Sequence, residues 1–299
     1  MAPDDPEAHN RLGMASVAAG DEEAAVASFQ KAVELQKPGA ADLSVAIDAL
    51  LGAGFVNGAV GLFLKWMNVD NVSPSLAYRI GLVCIESGDR ECVAIFVNRF
   101  LDGPGSDDVN YYELSDKLLS AGWLRLAGRT LDVAAKANPW DRSAREPWLR
   151  GRLALMSGDV REAQAQYEKA VETAATSGLI VMAISGDYAR AGRISESVRW
   201  LQKGVQDQSP DVRAQVFPMW VDTLRRLGRA SEITLDPLEG VDMASPDDWE
   251  RAIAQLETCG RADLAIDLVN RVKENVRAAD LGPLLVRLTA LHCAARDRD

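Results

Sequence analysis

Apolar residues recur three and four positions apart along almost the whole chain, and each pair of such stretches is divided by a glycine. Ala19-Gly20, Ala53-Gly54, Ser87-Gly88, Ala121-Gly122, Ser157-Gly158, Ala191-Gly192, Leu227-Gly228 and Cys259-Gly260 mark eight such points, with the glycines 34, 34, 34, 36, 34, 36 and 32 residues apart. Helical periodicity on both sides of a glycine predicts a helix, a left-handed cap favouring a residue without Cβ, and a second helix starting at once. In three units the next residue is Asp21, Asp89 or Asp159, whose carboxylate suits the free amides of the new helix. A regular period in the thirties predicts one helix-turn-helix unit repeated, each burying its apolar face against its neighbours. The expected chain is all-α, a single domain over residues 1–299.

The first unit carries the pattern in most detail, through Pro6, Leu12-Gly13, Gly20-Asp21, Ala25, Phe29, Ala32 and Pro38. It resembles the tetratricopeptide repeat family, which has a small residue in the first helix, two alanine-like positions around an aromatic in the second, and a closing proline. Two helices joined by a tight turn approach closely only where the residues at their crossing are small. Later units match in part: Gly81 in the third, Leu114, Ala127, Ala134 and Pro139 in the fourth, Gly151, Ala163, Tyr167 and Ala170 in the fifth. The resemblance implies a right-handed superhelical α-solenoid of about eight tetratricopeptide-like repeats. Trp66, Phe100, Ser197 and Gly204 depart from the family's small positions. Pro237, Gly240 and Pro246 interrupt the second helix of repeat seven, so an irregular segment is expected over 235–246. After Leu281-Gly282-Pro283, an apolar stretch reads as a capping helix at about 283–295.

Charge narrows the functions. The formal net charge is −11, and residues 1–120 hold 8 Lys/Arg against 18 Asp/Glu while the rest hold 25 against 26. So acidic a first part repels phosphate backbones, and no nucleic-acid partner is expected. No run of eighteen apolar residues occurs, which argues against membrane insertion. The opening Met1-Ala2-Pro3-Asp4-Asp5-Pro6 is acidic where a leader would be basic, and a cytoplasmic location is expected. Cys84, Cys92, Cys259 and Cys293 lack C-x-x-C spacing and are too sparse for a disulfide framework, so they read as free, mostly buried thiols.

Catalytic chemistry is hard to assemble. The two histidines, His9 and His292, stand near opposite ends of the sequence, and no clustered His and Cys or phosphate-binding glycine motif appears. No catalytic residue, metal or cofactor is assigned, and the chain reads as a binding protein.

In the family it resembles, the first helix of each pair lines an inner concave wall. Carried over by register, the residue ten before each turn glycine faces that wall, which gives Tyr78, Tyr112, Trp148 and Met182 in repeats three to six. Asp116 and Arg152 lie one turn further on, and Arg190 and Arg145 add positive charge. Large aromatic side chains and Arg dominate binding hot spots, although rings at helical spacing also serve as core. The expected function is a protein-protein interaction scaffold that takes a protein or peptide segment, acidic or amphipathic, in this groove. One alternative is an N-terminal substrate-recognition domain of a larger enzyme, such as a protein glycosyltransferase carrying these repeats. Another is self-association through exposed solenoid ends.

Overall fold

A computed structural model describes residues 5–36, 43–66, 74–102, 110–137, 143–174, 178–207, 209–241, 246–273, 282–283 and 285–291. Among them every regular element is helical, and none is long and apolar enough to cross a membrane. The chain divides into two compact units, residues Met1–Trp140 and Asp141–Asp299.

The first unit contains four helix pairs: α1 (Pro6–Ala19) with α2 (Glu22–Leu35), α3 (Leu43–Gly52) with α4 (Val56–Trp66), α5 (Pro74–Ser87) with α6 (Arg90–Asp102), and α7 (Tyr111–Ser120) with α8 (Leu124–Ala137). The second contains α9 (Arg145–Met156) with α10 (Val160–Thr173), α11 (Gly178–Arg190) with α12 (Ile194–Val205), then α13 (Pro210–Arg226), and α14 (Pro246–Thr258) with α15 (Ala262–Val272). Two short 3-10 turns, Ala230–Glu232 and Asp236–Leu238, follow α13 where a second helix would stand. Pro237 sits inside the second of these, and Gly240 has φ 70°. Residues 242–245 of the irregular segment lie outside the described residues.

All eight turn glycines have positive φ, between 69° and 88°. One hydrogen-bond pattern closes the turns. Gly158 N–H donates to Leu155 O at 3.1 Å and Asp159 N–H to Ala154 O at 2.9 Å, so the ending helix keeps its last carbonyls paired. The same two bonds recur at Gly122 and Trp123, Gly192 and Arg193, and Gly260 and Arg261. The new helix is then capped. Asp21 Oδ1 accepts from Ala24 N–H, Asp89 Oδ1 from Cys92 N–H and Asp159 Oδ1 from Glu162 N–H, each at 3.0 Å. Asp159→Ala is expected to lower stability by about 1 kcal/mol, measured as a shift of the urea midpoint at unchanged m-value.

The core repeats with the turns. The residues five, nine and twelve after the glycine are buried in α2 (Ala25, Phe29, Ala32), α8 (Ala127, Leu131, Ala134), α10 (Ala163, Tyr167, Ala170), α12 (Ser197, Leu201, Gly204) and α15 (Ala265, Val269, Val272). In repeat six, where serine and glycine stand at the two alanine-like positions, the packing accommodates them. Buried Ser197 joins its hydroxyl to that of Ser185 at 2.8 Å, and Gly204 is pressed between Val181 and Val216. At the carboxyl end, residues 285–291 are helical, Leu291 is buried in the core of the second unit, and Arg287 pairs with Glu257 at 2.6 Å. The rest of the stretch at 292–295 lies outside the described residues, as do His292 and Cys293.

The cysteines require a correction. Cys84 and Cys92, both buried, are joined in a disulfide, and Cys259 is a free thiol. They stand four residues before and four after Gly88, so the helical hairpin folds them opposite one another with Cα atoms 5.8 Å apart.

Candidate functional site

In the first unit the first helices carry a lattice of ion pairs one repeat apart. Arg79 on α5 reaches Asp48 on α3, and Lys117 on α7 reaches Glu86 on α5 at 3.0 Å. These pairs are well exposed and contribute little energy, but they show successive first helices in common register. Tyr78 and Tyr112 are half-buried and pack together against Tyr111 and Ala134. The Tyr78 hydroxyl donates to Glu113 Oε2 at 2.9 Å, so its polar end is already engaged within the unit. Asp116, one turn beyond Tyr112 on α7, is half-buried.

In the second unit Trp148, Arg152 and Arg190 converge on a residue that sequence reasoning missed. Asp187, on α11, has a side chain 1% exposed. It accepts the Trp148 indole N–H at 3.0 Å and the Tyr167 hydroxyl at 3.0 Å on Oδ2, while Arg190 Nη2 donates to Oδ1 at 2.5 Å. Arg152 Nε stands 3.5 Å from the same oxygen with a side chain 12% exposed. Burial, the largest influence, pushes the Asp187 carboxyl above the usual carboxylate range, and Arg152, Arg190 and the Tyr167 hydroxyl pull against it. The Tyr167 phenol is driven far above its ordinary value, again first by burial and then by the Asp187 charge. A buried carboxylate held by two guanidiniums, an indole and a phenol locks α9, α10 and α11 together. It leaves Arg190, with a side chain 63% exposed, as the member that faces solvent.

Met182 lies apart from this cluster, in an open groove of about 380 Å³ formed by α11, α13 and α14. Leu179, Met182, Pro218 and Met219 supply its apolar surface, with Leu179 66% and Met219 40% exposed. Its polar rim includes Gln215, Gln255, Arg251 and Asp222, the last tied to Arg225 and Arg226 at 2.7 Å each. Leu179 and Met219 stand thirteen and nine residues before their turn glycines. A fixed offset of ten passes over both.

No group of three or more His, Cys, Asp or Glu placed to hold a metal ion occurs among the described residues. His9 lies on α1.

The Tetratricopeptide repeat family model matches residues 6–38, the first helix pair and the stretch just beyond it. No curated protein matches the chain. Among solved structures, the chain is similar to a tetratricopeptide repeat protein from Parabacteroides merdae ATCC 43184, with 12% identity over 88% of this chain and 96% of that one and a TM-score of 0.46. It is also similar to the yeast Tom70, with 12% identity over 100% of this chain and 91% of that one and a TM-score of 0.35. A third is the P58(IPK) TPR domain, with 14% identity over 97% and 99% of the two chains and a TM-score of 0.28.

Proposed function

We propose that this chain of tetratricopeptide-type repeats is a protein-protein interaction scaffold, acting by binding alone, and that it seats an amphipathic polypeptide segment in the groove of α11, α13 and α14. The observation that carries the reading is the exposure of Leu179 and Met219 beside Met182 and Pro218 on adjoining first helices. Exposed large apolar side chains gathered in a groove with a polar rim are what a partner's apolar face needs, and methionines adapt to differing ligand shapes. Trp148 and Arg152 serve in this reading mainly as the rigid support of the groove's neighbour, because their polar atoms are turned to Asp187. Arg251, on the groove's rim, is the cation offered to acidic residues on the polar face of the ligand.

A display library of random twelve-residue peptides, panned against the chain, tests the proposal directly. Enrichment of sequences with Leu, Met or Phe at helical spacing is expected, and synthetic copies should bind Leu179→Asp/Met219→Asp at least about tenfold more weakly. A Tyr78→Ala/Tyr112→Ala variant should bind them as wild type does. If the enriched peptides bind the groove variant unchanged and lose affinity for the tyrosine variant, the site moves to the aromatic pair of the first unit and the groove assignment is wrong.

A further inference from the structure

A proline inside a helix removes a backbone donor, and α13 carries one. Pro218 stands midway along Pro210–Arg226 and is buried. It has no N–H, so the Ala214 carbonyl one turn earlier lacks the bond that an interior carbonyl of an α-helix receives, and the pyrrolidine ring crowds that same oxygen. Ala214, half-buried, and Pro218 both line the groove of α11, α13 and α14. The unclaimed acceptor between them therefore lies on the groove's wall, in the company of Leu179, Met182 and Met219. The neighbouring carboxamide, that of Gln215, packs against the start of α11, where a Cβ added at Gly178 would meet its Oε1 at 2.8 Å.

An acceptor open to solvent is satisfied by water until a ligand covers it. A wholly apolar face laid over the Ala214 oxygen removes that water and returns no hydrogen bond, so the groove penalises ligands that bring no donor to this point. The donor it suits is uncharged. Asp222 is the one carboxylate among the described lining residues, and both its oxygens are paired, Oδ1 with Arg225 and Oδ2 with Arg226, at 2.7 Å each. A lysine or arginine of the ligand would meet no free negative charge to offset its desolvation.

Among uncharged donors, serine and threonine on a ligand helix turn their hydroxyls back to their own carbonyls, and asparagine weakens the helix that carries it. Glutamine has the reach and the helix propensity. Its carboxamide N–H can bond to Ala214 O while its own carbonyl accepts from Arg251 or the amide of Gln255 on the rim. We propose that the groove selects its occupant by this acceptor: a helical segment of a partner polypeptide with a glutamine set among its apolar anchors. The inference rests on the groove reading above and narrows it from amphipathic segments in general to one sequence class. Pro218 is the specificity-determining residue, because any other residue there supplies an N–H that closes the helical bond and consumes the acceptor.

The test is a display library of amphipathic helices, with fixed leucines at helical spacing and randomised positions on and beside the leucine face, panned in parallel against wild type, Pro218→Ala and Leu179→Asp/Met219→Asp. Wild type should enrich glutamine at one position beside the leucines, and Pro218→Ala an apolar residue there. The best wild-type peptide, labelled with fluorescein and read by fluorescence polarisation, should bind wild type roughly fivefold more weakly once methionine, of like length but without a donor, replaces that glutamine. Pro218→Ala should bind the two peptides within about twofold of one another. Pro218→Val restores the same N–H with a side chain closer to proline in bulk, and takes the place of the alanine variant if circular dichroism shows that one unfolded. Absence of glutamine enrichment on wild type overturns the inference, as does an equal preference for glutamine in wild type and the proline-free variant. If the latter holds while Leu179→Asp/Met219→Asp loses the peptides, the groove stands and only the acceptor is wrong. If that double variant enriches the same peptides as wild type, or wild type captures none, the groove reading itself fails and the glutamine inference falls with it.

Discussion

Asp187→Ala is expected to cost about 3–5 kcal/mol of stability, because it removes the acceptor on which three buried or half-buried donors and the exposed Arg190 converge. The indole N–H of Trp148 and the hydroxyl of Tyr167 lose partners at 3.0 Å, and Arg152, with a side chain 12% exposed, is left beside an empty site. Arg190 can turn to water and adds little to the loss. The urea midpoint should fall, and the loss should localise to α9, α10 and α11, since repeats are coupled chiefly to their neighbours. Hydrogen exchange should accelerate there before it changes in α14 and α15. Asp187→Asn keeps an acceptor and should cost less. A loss below about 1 kcal/mol for the alanine variant would mean that the carboxylate does not hold these helices together.

The same residue predicts a sign for pH. Burial holds the folded Asp187 carboxyl above its unfolded value of about 3.9, so the folded chain binds this proton more tightly. Its linkage contribution is therefore full below the unfolded value and is lost as pH rises through the folded one. Relative to Asp187→Asn, which does not titrate, wild type should gain melting temperature as the solution is acidified from neutral toward pH 4. A difference that moved the other way would require the guanidiniums to outweigh burial.

Asp187 also marks the limit of what the sequence discloses. It lies five residues before Gly192, and the same position elsewhere holds Ala15, Ala49, Val83, Lys117, Leu153, Thr223 and Gln255, all half-buried or exposed. Periodicity thus reads position 187 as a polar edge of the helix. It is buried because Trp148 and Tyr167, 39 and 20 residues earlier, close over it, and no local pattern encodes that. The converging arginines were legible as a cluster, but their common partner was not. The disulfide was closer to hand: once Gly88 is taken as a hairpin turn, cysteines at equal distances on either side must meet, and a search for C-x-x-C spacing alone overlooks them. Turns and caps were readable because each depends on one or two adjacent residues with distinct conformational preferences, glycine at positive φ and aspartate before a helix. The irregular segment of repeat seven was half readable. Prolines at 237 and 246 announce a broken helix, while Arg213 reaching carbonyls 24 and 26 residues away is a tertiary outcome.

Two glycines at equivalent turns of their helices are expected to respond to alanine with opposite signs. A Cβ at Gly151 falls 2.6 Å from Tyr167 Cδ1 and 2.7 Å from Cε1, far inside van der Waals contact. Tyr167 cannot yield, because it is fully buried, its hydroxyl is held by Asp187, and its ring abuts Tyr188 and Trp200 at centroid distances of 5.5 and 6.3 Å. Gly151→Ala should therefore destabilise by about 1–3 kcal/mol even after the gain in helix propensity. At Gly81 the nearest atom to the added carbon is Phe96 Cβ at 3.8 Å, an ordinary contact. There the propensity term stands alone, and Gly81→Ala should stabilise by about 0.5–1 kcal/mol. Gly13, whose Cβ would lie 2.6 Å from the Phe29 ring, should follow Gly151. Denaturation midpoints of the three variants decide the matter. Matching signs at Gly81 and Gly151 would mean that the aromatic of the second helix does not set the crossing distance. Opposite signs would place the closest helix approach at repeats one and five, where a glycine lies under a fully buried ring.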